Sequence, residues 1–245
     1  MSTSYDSELT TFIADTARYL DRRAGGFSDT VKATEALTPR RLAGMSPEQI
    51  DTWIAQCDTL LVALRDEDAR QAERAHYVVR DTRAPRRYGR RPGWTMTNQE
   101  AWAAVVAMHE AGDEATNYQL AACPTATQLV ARRAAFEIMS APLLTARGNL
   151  NREYLRRPWP RYFLVTSSAG HLHSSTHCST CRPTTAFGWW VELSGRTEAQ
   201  AISELGKLAD ALCSRCFPTA PVAPKRTNVR QSDVERLSSG PALRD

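Results

Sequence analysis

The chain has 245 residues, 42% of them hydrophobic and 24% charged, enough for one large domain or two modest ones around a real core. Mean hydropathy is −0.44 and no apolar run approaches the ~18 residues of a membrane span, so no spanning segment is expected. The net charge of +4 is too small for a global polycation, and Met1-Ser-Thr-Ser-Tyr-Asp6 lacks the basic-then-apolar pattern of a secretory leader, so the expected location is cytoplasmic.

Leu9, Phe12, Ile13, Thr16 and Leu20 recur at helical spacing, which predicts a first helix over 7–24, stopped at Gly25-Gly26. Residues 27–45, with Thr38-Pro39, read as a connector. Ser46-Pro-Glu-Gln49 is a capping box with Pro in the first turn, so a helix is predicted from Pro47 to about Asp81. Ile50, Ile54, Cys57, Leu61 and Leu64 form its apolar stripe, which fades between Arg65 and Arg74. A stripe of this kind suits a protein partner or self-association through helix 47–81.

Residues 83–93 hold Pro85, Gly89, Pro92 and Gly93 and read as a loop. Six Arg against Asp81 give the stretch from Arg80 to Trp94 a local charge of +5. Arg86, Arg87, Tyr88, Arg90, Arg91 and Trp94 interleave cations with aromatic rings, a pattern that could contact phosphates and stack on bases; a solvated linker is the competing reading. Thr97-x-x-Glu100 opens a further helix that closes at Gly112. Others are expected at about 125–140 and 143–156, before Pro158-Trp-Pro160 ends the helical half. Arg147, Arg152, Arg156, Arg157 and Arg161 against Glu153 form a second basic run, also taken as connector charge.

The texture then changes. Tyr162-Phe-Leu-Val-Thr166 reads as a strand, His171-Leu-His173 as its hairpin return and Phe187-Gly-Trp-Trp-Val191 as a third strand. Thr197-Glu-Ala-Gln200 starts a short helix, and the Pro-rich, polar stretch 218–245 reads as a disordered tail. The fold class expected is α+β: a mainly helical N-terminal region followed by a small β-hairpin/helix domain whose Cys-x-x-Cys pairs, at 178–181 and 213–216, make it zinc-stapled. Four sequential parts follow: 1–45 as helix and connector, 46–157 as helical region, 158–217 as zinc domain and 218–245 as tail.

The chemistry concentrates in Cys178-Ser-Thr-Cys181 and Cys213-Ser-Arg-Cys216, separated by 31 residues. Each Cys-x-x-Cys turn aims two thiolates at one point, and two turns supply a tetrahedral set for Zn²⁺. Neither pair has the βαβ context of a thioredoxin-like redox motif. Three ligand sets stay open: all four cysteines, a mixed set in which His173 or His177 replaces one cysteine, or an open or second site using His171, His173 and His177. A closed set leaves no coordination position for water; an open one would make the protein a metal-dependent hydrolase or nuclease. The stretch 162–191 carries no carboxylate to serve as base, which favours a non-enzymatic role. Cys57, Cys123, His76 and His109 read as core or isolated residues.

The run Arg161 to Cys181, the segment Trp190-Val-Glu-Leu-Ser-Gly195 and Leu212-Cys-Ser-Arg-Cys-Phe-Pro-Thr-Ala-Pro221 together resemble an uncharacterised group of small proteins from actinobacteriophages and actinobacterial mobile elements. Met45-Ser-Pro-Glu-Gln-Ile-Asp-Thr52 is similar to the start of their long helix. The resemblance spans 155–222 and, more loosely, 42–80. It implies a phage-like origin, hence host-cell cytoplasm, and a metal module; it carries no catalytic residues over. The function expected is that of a zinc-stabilised accessory protein that binds a host or phage protein or a nucleic acid.

Overall fold

The computed structural model describes residues 2–22, 26–83, 93–113, 123–166, 171–205, 212–218 and 242–243. Six helices come first: α1 (Ser2–Leu20), α2 (Phe27–Glu35), α3 (Pro39–Gly44), α4 (Pro47–Val78), α5 (Asn98–Glu110) and α6 (Ala126–Arg156). Strands β1 (Phe163–Val165), β2 (Leu172–His173) and β3 (Phe187–Trp189), a 3₁₀ turn at Val191–Leu193, α7 (Glu198–Leu205) and β4 (Ala242–Leu243) follow. The chain is α+β with a mainly helical N-terminal half, as its sequence predicts.

Helix starts follow local chemistry. Ser46 Oγ accepts from the Gln49 N–H at 3.1 Å while Gln49 Oε1 accepts from the Ser46 N–H at 2.9 Å. Thr97 and Glu100, Thr125 and Gln128, and Thr197 and Gln200 make the same reciprocal pair at the heads of α5, α6 and α7. Residues 27–45 are not a connector. Thr38 caps α3, with Pro39 in its first turn, where a missing N–H costs nothing. The two helical pieces expected at 125–140 and 143–156 are one helix that carries Pro142 inside it.

The residues divide into two compact units. The first comprises 1–31 and 60–143, the second 32–59 and 144–245. These differ from the four sequential parts read from the chain: the three divisions fall inside α2, α4 and α6, each of which contributes to both units. In the first unit, Ala72, Ala75 and Val78 of α4 pack with Ala101, Trp102 and Val105 of α5 and Ala126 and Leu129 of α6. Small side chains do the packing where the apolar stripe fades, which is why the large apolar residues of the stripe stop at Leu64. The stripe itself is interior: Ile50, Ile54, Cys57, Leu61 and Leu64 are each no more than 5% exposed. It is therefore used within the chain, and the feature that suggested self-association through helix 47–81 is not on the surface.

In the second unit the sheet order is β2-β1-β3-β4, antiparallel throughout. Phe163 faces both His173 and Trp189 in register, and Leu164 faces Leu172 and Gly188. Tyr162, Leu164, Leu172, Leu193, Ala201, Leu212 and Phe217 form one core cluster. Ile50, Ile54, Leu150, Trp159 and Trp189 centre another. The third strand stops at Trp189, because Trp190 leads into the 3₁₀ turn. The disordered tail is corrected at Ala242–Leu243, which pair with Gly188 and Phe187 of β3; residues 219–241 lie outside those described.

The second basic run is also corrected. Arg147, Arg152 and Arg156 lie on α6 rather than in a connector, and the run is partnered. Arg147 pairs with Asp58, Arg156 and Arg157 with Glu153, and Arg161 with Asp51.

Candidate metal centre

Two short turns and one strand build the site. The Cys181 N–H donates to the Cys178 carbonyl at 2.9 Å, and the Cys216 N–H to the Cys213 carbonyl at 3.0 Å, closing each Cys-x-x-Cys into a knuckle. The second knuckle is fastened to β2: Leu172 and Leu212 form a parallel bridge, and the Cys213 N–H donates to the Leu172 carbonyl at 3.0 Å. That bridge puts His173 beside Cys213. One donor atom each from His173, Cys178, Cys213 and Cys216 lies within 4.8 Å of every other, a group that could hold a metal ion.

Cys178 Sγ is 3.9 Å from Cys213 Sγ, and Cys216 Sγ is 3.5 Å from His173 Nδ1. Cys181, expected as a ligand, falls outside that four-residue group, yet its Sγ stands 3.4 Å from His173 Nε2 and 3.8 Å from Nδ1. His173 and Cys213 are buried; Cys178, Cys181 and Cys216 are half-buried.

The protonation chemistry suits ligation. Burial, aided by neighbouring His171, lowers the His173 pKa to about 4, so its ring is neutral at pH 7 and a nitrogen lone pair is free to bind. Burial pushes the Cys178 thiol up, but the Thr180 hydroxyl and N–H and the thiols of Cys216 and Cys213 outweigh it and bring the pKa down to about 7. Burial raises the thiols of Cys181 and Cys216. A cation among these sulfurs would draw off their protons, since metal binding releases protons from its ligands.

The other histidines stay apart from this group. The His171 ring lies 4.6 Å from that of His173, centroid to centroid, and supplies no atom to the set. His177 is exposed, its Nδ1 3.2 Å from Thr176 Oγ1. The three histidines expected for a hydrolytic site are thus not gathered round one point, and the group contains no carboxylate.

Of the residues expected to meet nucleic acid, Arg86, Arg87, Tyr88, Arg90 and Arg91 lie outside those described. Trp94 is engaged by side chains of the chain itself. His76 stacks on its ring at 4.8 Å with the planes 1° apart, Tyr77 meets it edge-on, and the Arg83 guanidinium lies 4.7 Å from its centroid. His76, read as an isolated helical residue, is fully buried, with Nδ1 2.8 Å from Asp81 Oδ2 and Nε2 3.0 Å from Asn98 Oδ1. Asp81 also accepts from the N–H groups of Thr82 and Met96. Trp94 and this cluster fix the two chain segments that flank 84–92.

No family model matches the chain, and neither a curated protein nor a solved structure matches it. Among the described residues, no helix is long and apolar enough to cross a membrane.

Proposed function

We propose that this is a non-enzymatic accessory protein of phage type whose second unit is stapled by Zn²⁺ and which acts by binding a partner. The observation that carries the reading is the convergence of His173, Cys178, Cys213 and Cys216. Tetrahedral zinc, with bonds of about 2.3 Å to sulfur and about 2.0 Å to nitrogen, sets two sulfurs about 3.8 Å apart and a sulfur and a nitrogen about 3.5 Å apart. The 3.9 Å between Cys178 and Cys213 and the 3.5 Å between Cys216 and His173 fit those edges. Thiolate with imidazole is a borderline-soft donor set of the kind zinc prefers. Four protein donors close the shell, so the ion holds structure and has no position for a reacting water.

Native mass spectrometry tests this directly. One zinc per chain is expected, lost in Cys178→Ser and in Cys213→Ser. A chain that carries no zinc after expression in zinc-supplemented medium would remove the reading. The partner class is read separately. Binding to DNA or RNA at ~50 mM salt, weakened by raising salt and by changing Arg86, Arg87, Arg90 and Arg91 to Ala, assigns nucleic acid; no binding directs the search to a host or phage protein.

A further inference from the structure

Five donors, one more than a tetrahedral ion takes, surround this centre. His173 sits on a strand registered against Phe163, and the bridge at Leu172 fixes it beside Cys213. It needs no rearrangement to point at the group. Cys181 is different. It closes the first knuckle behind Cys178, is half-buried, and sits within 3.8 Å of both ring nitrogens of His173. Its sulfur is 3.4 Å from the nearer imidazole nitrogen.

We propose that Cys181 is a spare donor of the same centre: a thiophilic divalent ion is held by Cys178, Cys213, Cys216 and His173, and Cys181 takes the fourth position when His173 leaves it. The inference rests on the metal-binding reading above. The exchange balances without an oxidant. The bond from the ion to the His173 nitrogen breaks, and a bond to Cys181 sulfur forms. The Cys181 thiol proton is released to solvent as its sulfur binds the ion. The exchange replaces a neutral imidazole ligand with a thiolate and so adds one negative charge to the shell. Thiolate and imidazole both suit a borderline-soft cation, so neither arrangement is strongly disfavoured by ligand type. The consequence is a centre that keeps its ion through the loss of either donor and fails only when both are gone.

Cobalt(II) substituted into the full-length chain tests this, because its visible spectrum distinguishes three-sulfur, one-nitrogen from four-sulfur coordination. Wild type is expected to give the three-sulfur, one-nitrogen spectrum, and Cys181→Ser to leave it unchanged. His173→Ala is expected to keep one cobalt with the stronger sulfur-to-metal charge transfer of a four-thiolate site. The double variant His173→Ala/Cys181→Ser should lose about 100-fold or more in affinity, beyond the loss of a partner that only orients a ligand. The proposal is overturned if His173→Ala loses the ion as fully as Cys178→Ser, if Cys181→Ser weakens the wild-type charge transfer, or if the double variant keeps the ion. A wild-type chain that binds neither cobalt nor zinc fails at the earlier step and is told apart by that. Alkylation of zinc-loaded wild type guards against misfolded variants. Brief iodoacetamide should modify Cys181 ahead of Cys178, Cys213 and Cys216 with the zinc retained, whereas equal protection of all four would overturn the proposal.

Discussion

At the scale of single residues, the second unit depends on a charge taken fully out of water. Asp51 is completely buried and accepts from Trp159 Nε1 at 2.8 Å and from Arg161 Nε and Nη2 at 3.1 and 2.6 Å. The Arg161 guanidinium in turn lies 3.5 Å from the Tyr154 ring centroid and 4.7 Å from that of Trp189. Such a pair adds little over a well-packed apolar pair, but removing one member strands the other. Asp51→Ala should therefore cost about 3–5 kcal/mol, read from urea unfolding followed by tryptophan fluorescence. In the first unit, Asp81 offers a pH handle. Burial pushes its carboxyl up, but the Thr95 hydroxyl, His76 and the N–H groups of Met96 and Thr82 outweigh that and hold it at about 2. A folded pKa below the ordinary 3.8 means a contribution fully present above about pH 4 and lost as pH falls through about 2. The stability gap between wild type and Asp81→Asn should be open at pH 7 and close between about pH 4 and 2 in acid-unfolding curves. Neither interaction is legible in the sequence: Asp51 and Arg161 stand 110 positions apart, and nothing local to Asp81 names Thr95 as its partner.

At the scale of elements, the start of α4 meets the turn after the 3₁₀ segment. Gly195 has φ of +83°, and a Cβ placed there would stand 2.6 Å from Pro47 Cγ and 2.7 Å from Pro47 Cβ. Both the backbone conformation and the contact demand glycine. Gly195→Ala should lower stability by about 1–3 kcal/mol, seen as a lower Tm in circular dichroism. Helix starts were the most legible part of the chain, because a Ser or Thr followed three residues later by Glu or Gln is a local instruction that tertiary structure does not need to supply. Thr125 and Gln128 make another such pair, directly after Pro124. The unbroken α6 was not readable. Pro142 removes a hydrogen bond, and the burial of apolar residues on both sides of it, Phe136, Met139, Leu143, Ala146 and Leu150, offsets that loss. The site was half legible. The two Cys-x-x-Cys knuckles show in the sequence, but the placing of His173 beside Cys213 depends on the Leu172–Leu212 bridge, and a bridge across 40 residues of chain leaves no local trace.

At the scale of the whole molecule, the two units draw on different sources of stability, and metal removal should separate them. All five candidate donors lie in the second unit. There the sheet is short, with strands of two or three residues, and a small sheet of this kind is marginal without further support. The donors tie both knuckles to β2, so an ion would hold together segments that few sheet hydrogen bonds hold otherwise. The first unit has no such need. Its core of Ala72, Ala75, Val78, Ala101, Trp102, Val105, Ala126 and Leu129 is purely apolar, and Thr97 and Glu100 cap α5 within the same unit. Hydrogen exchange measured with and without a strong zinc chelator should therefore show a split response. Amides of Phe163–Val165, Leu172–His173 and Phe187–Trp189 lose protection when the ion is removed, while those of Asn98–Glu110 keep theirs. Loss of protection across both sets at the same chelator concentration would mean that α4 and α6, which contribute to both units, carry the unfolding of one into the other. Unchanged protection in the strands after verified zinc loss would mean that Tyr162, Leu164, Leu172, Leu193 and Phe217 hold the sheet by apolar packing alone. The split is expected because the ion's contribution reaches only the segments it ties, and α5 is held by contacts that contain no donor.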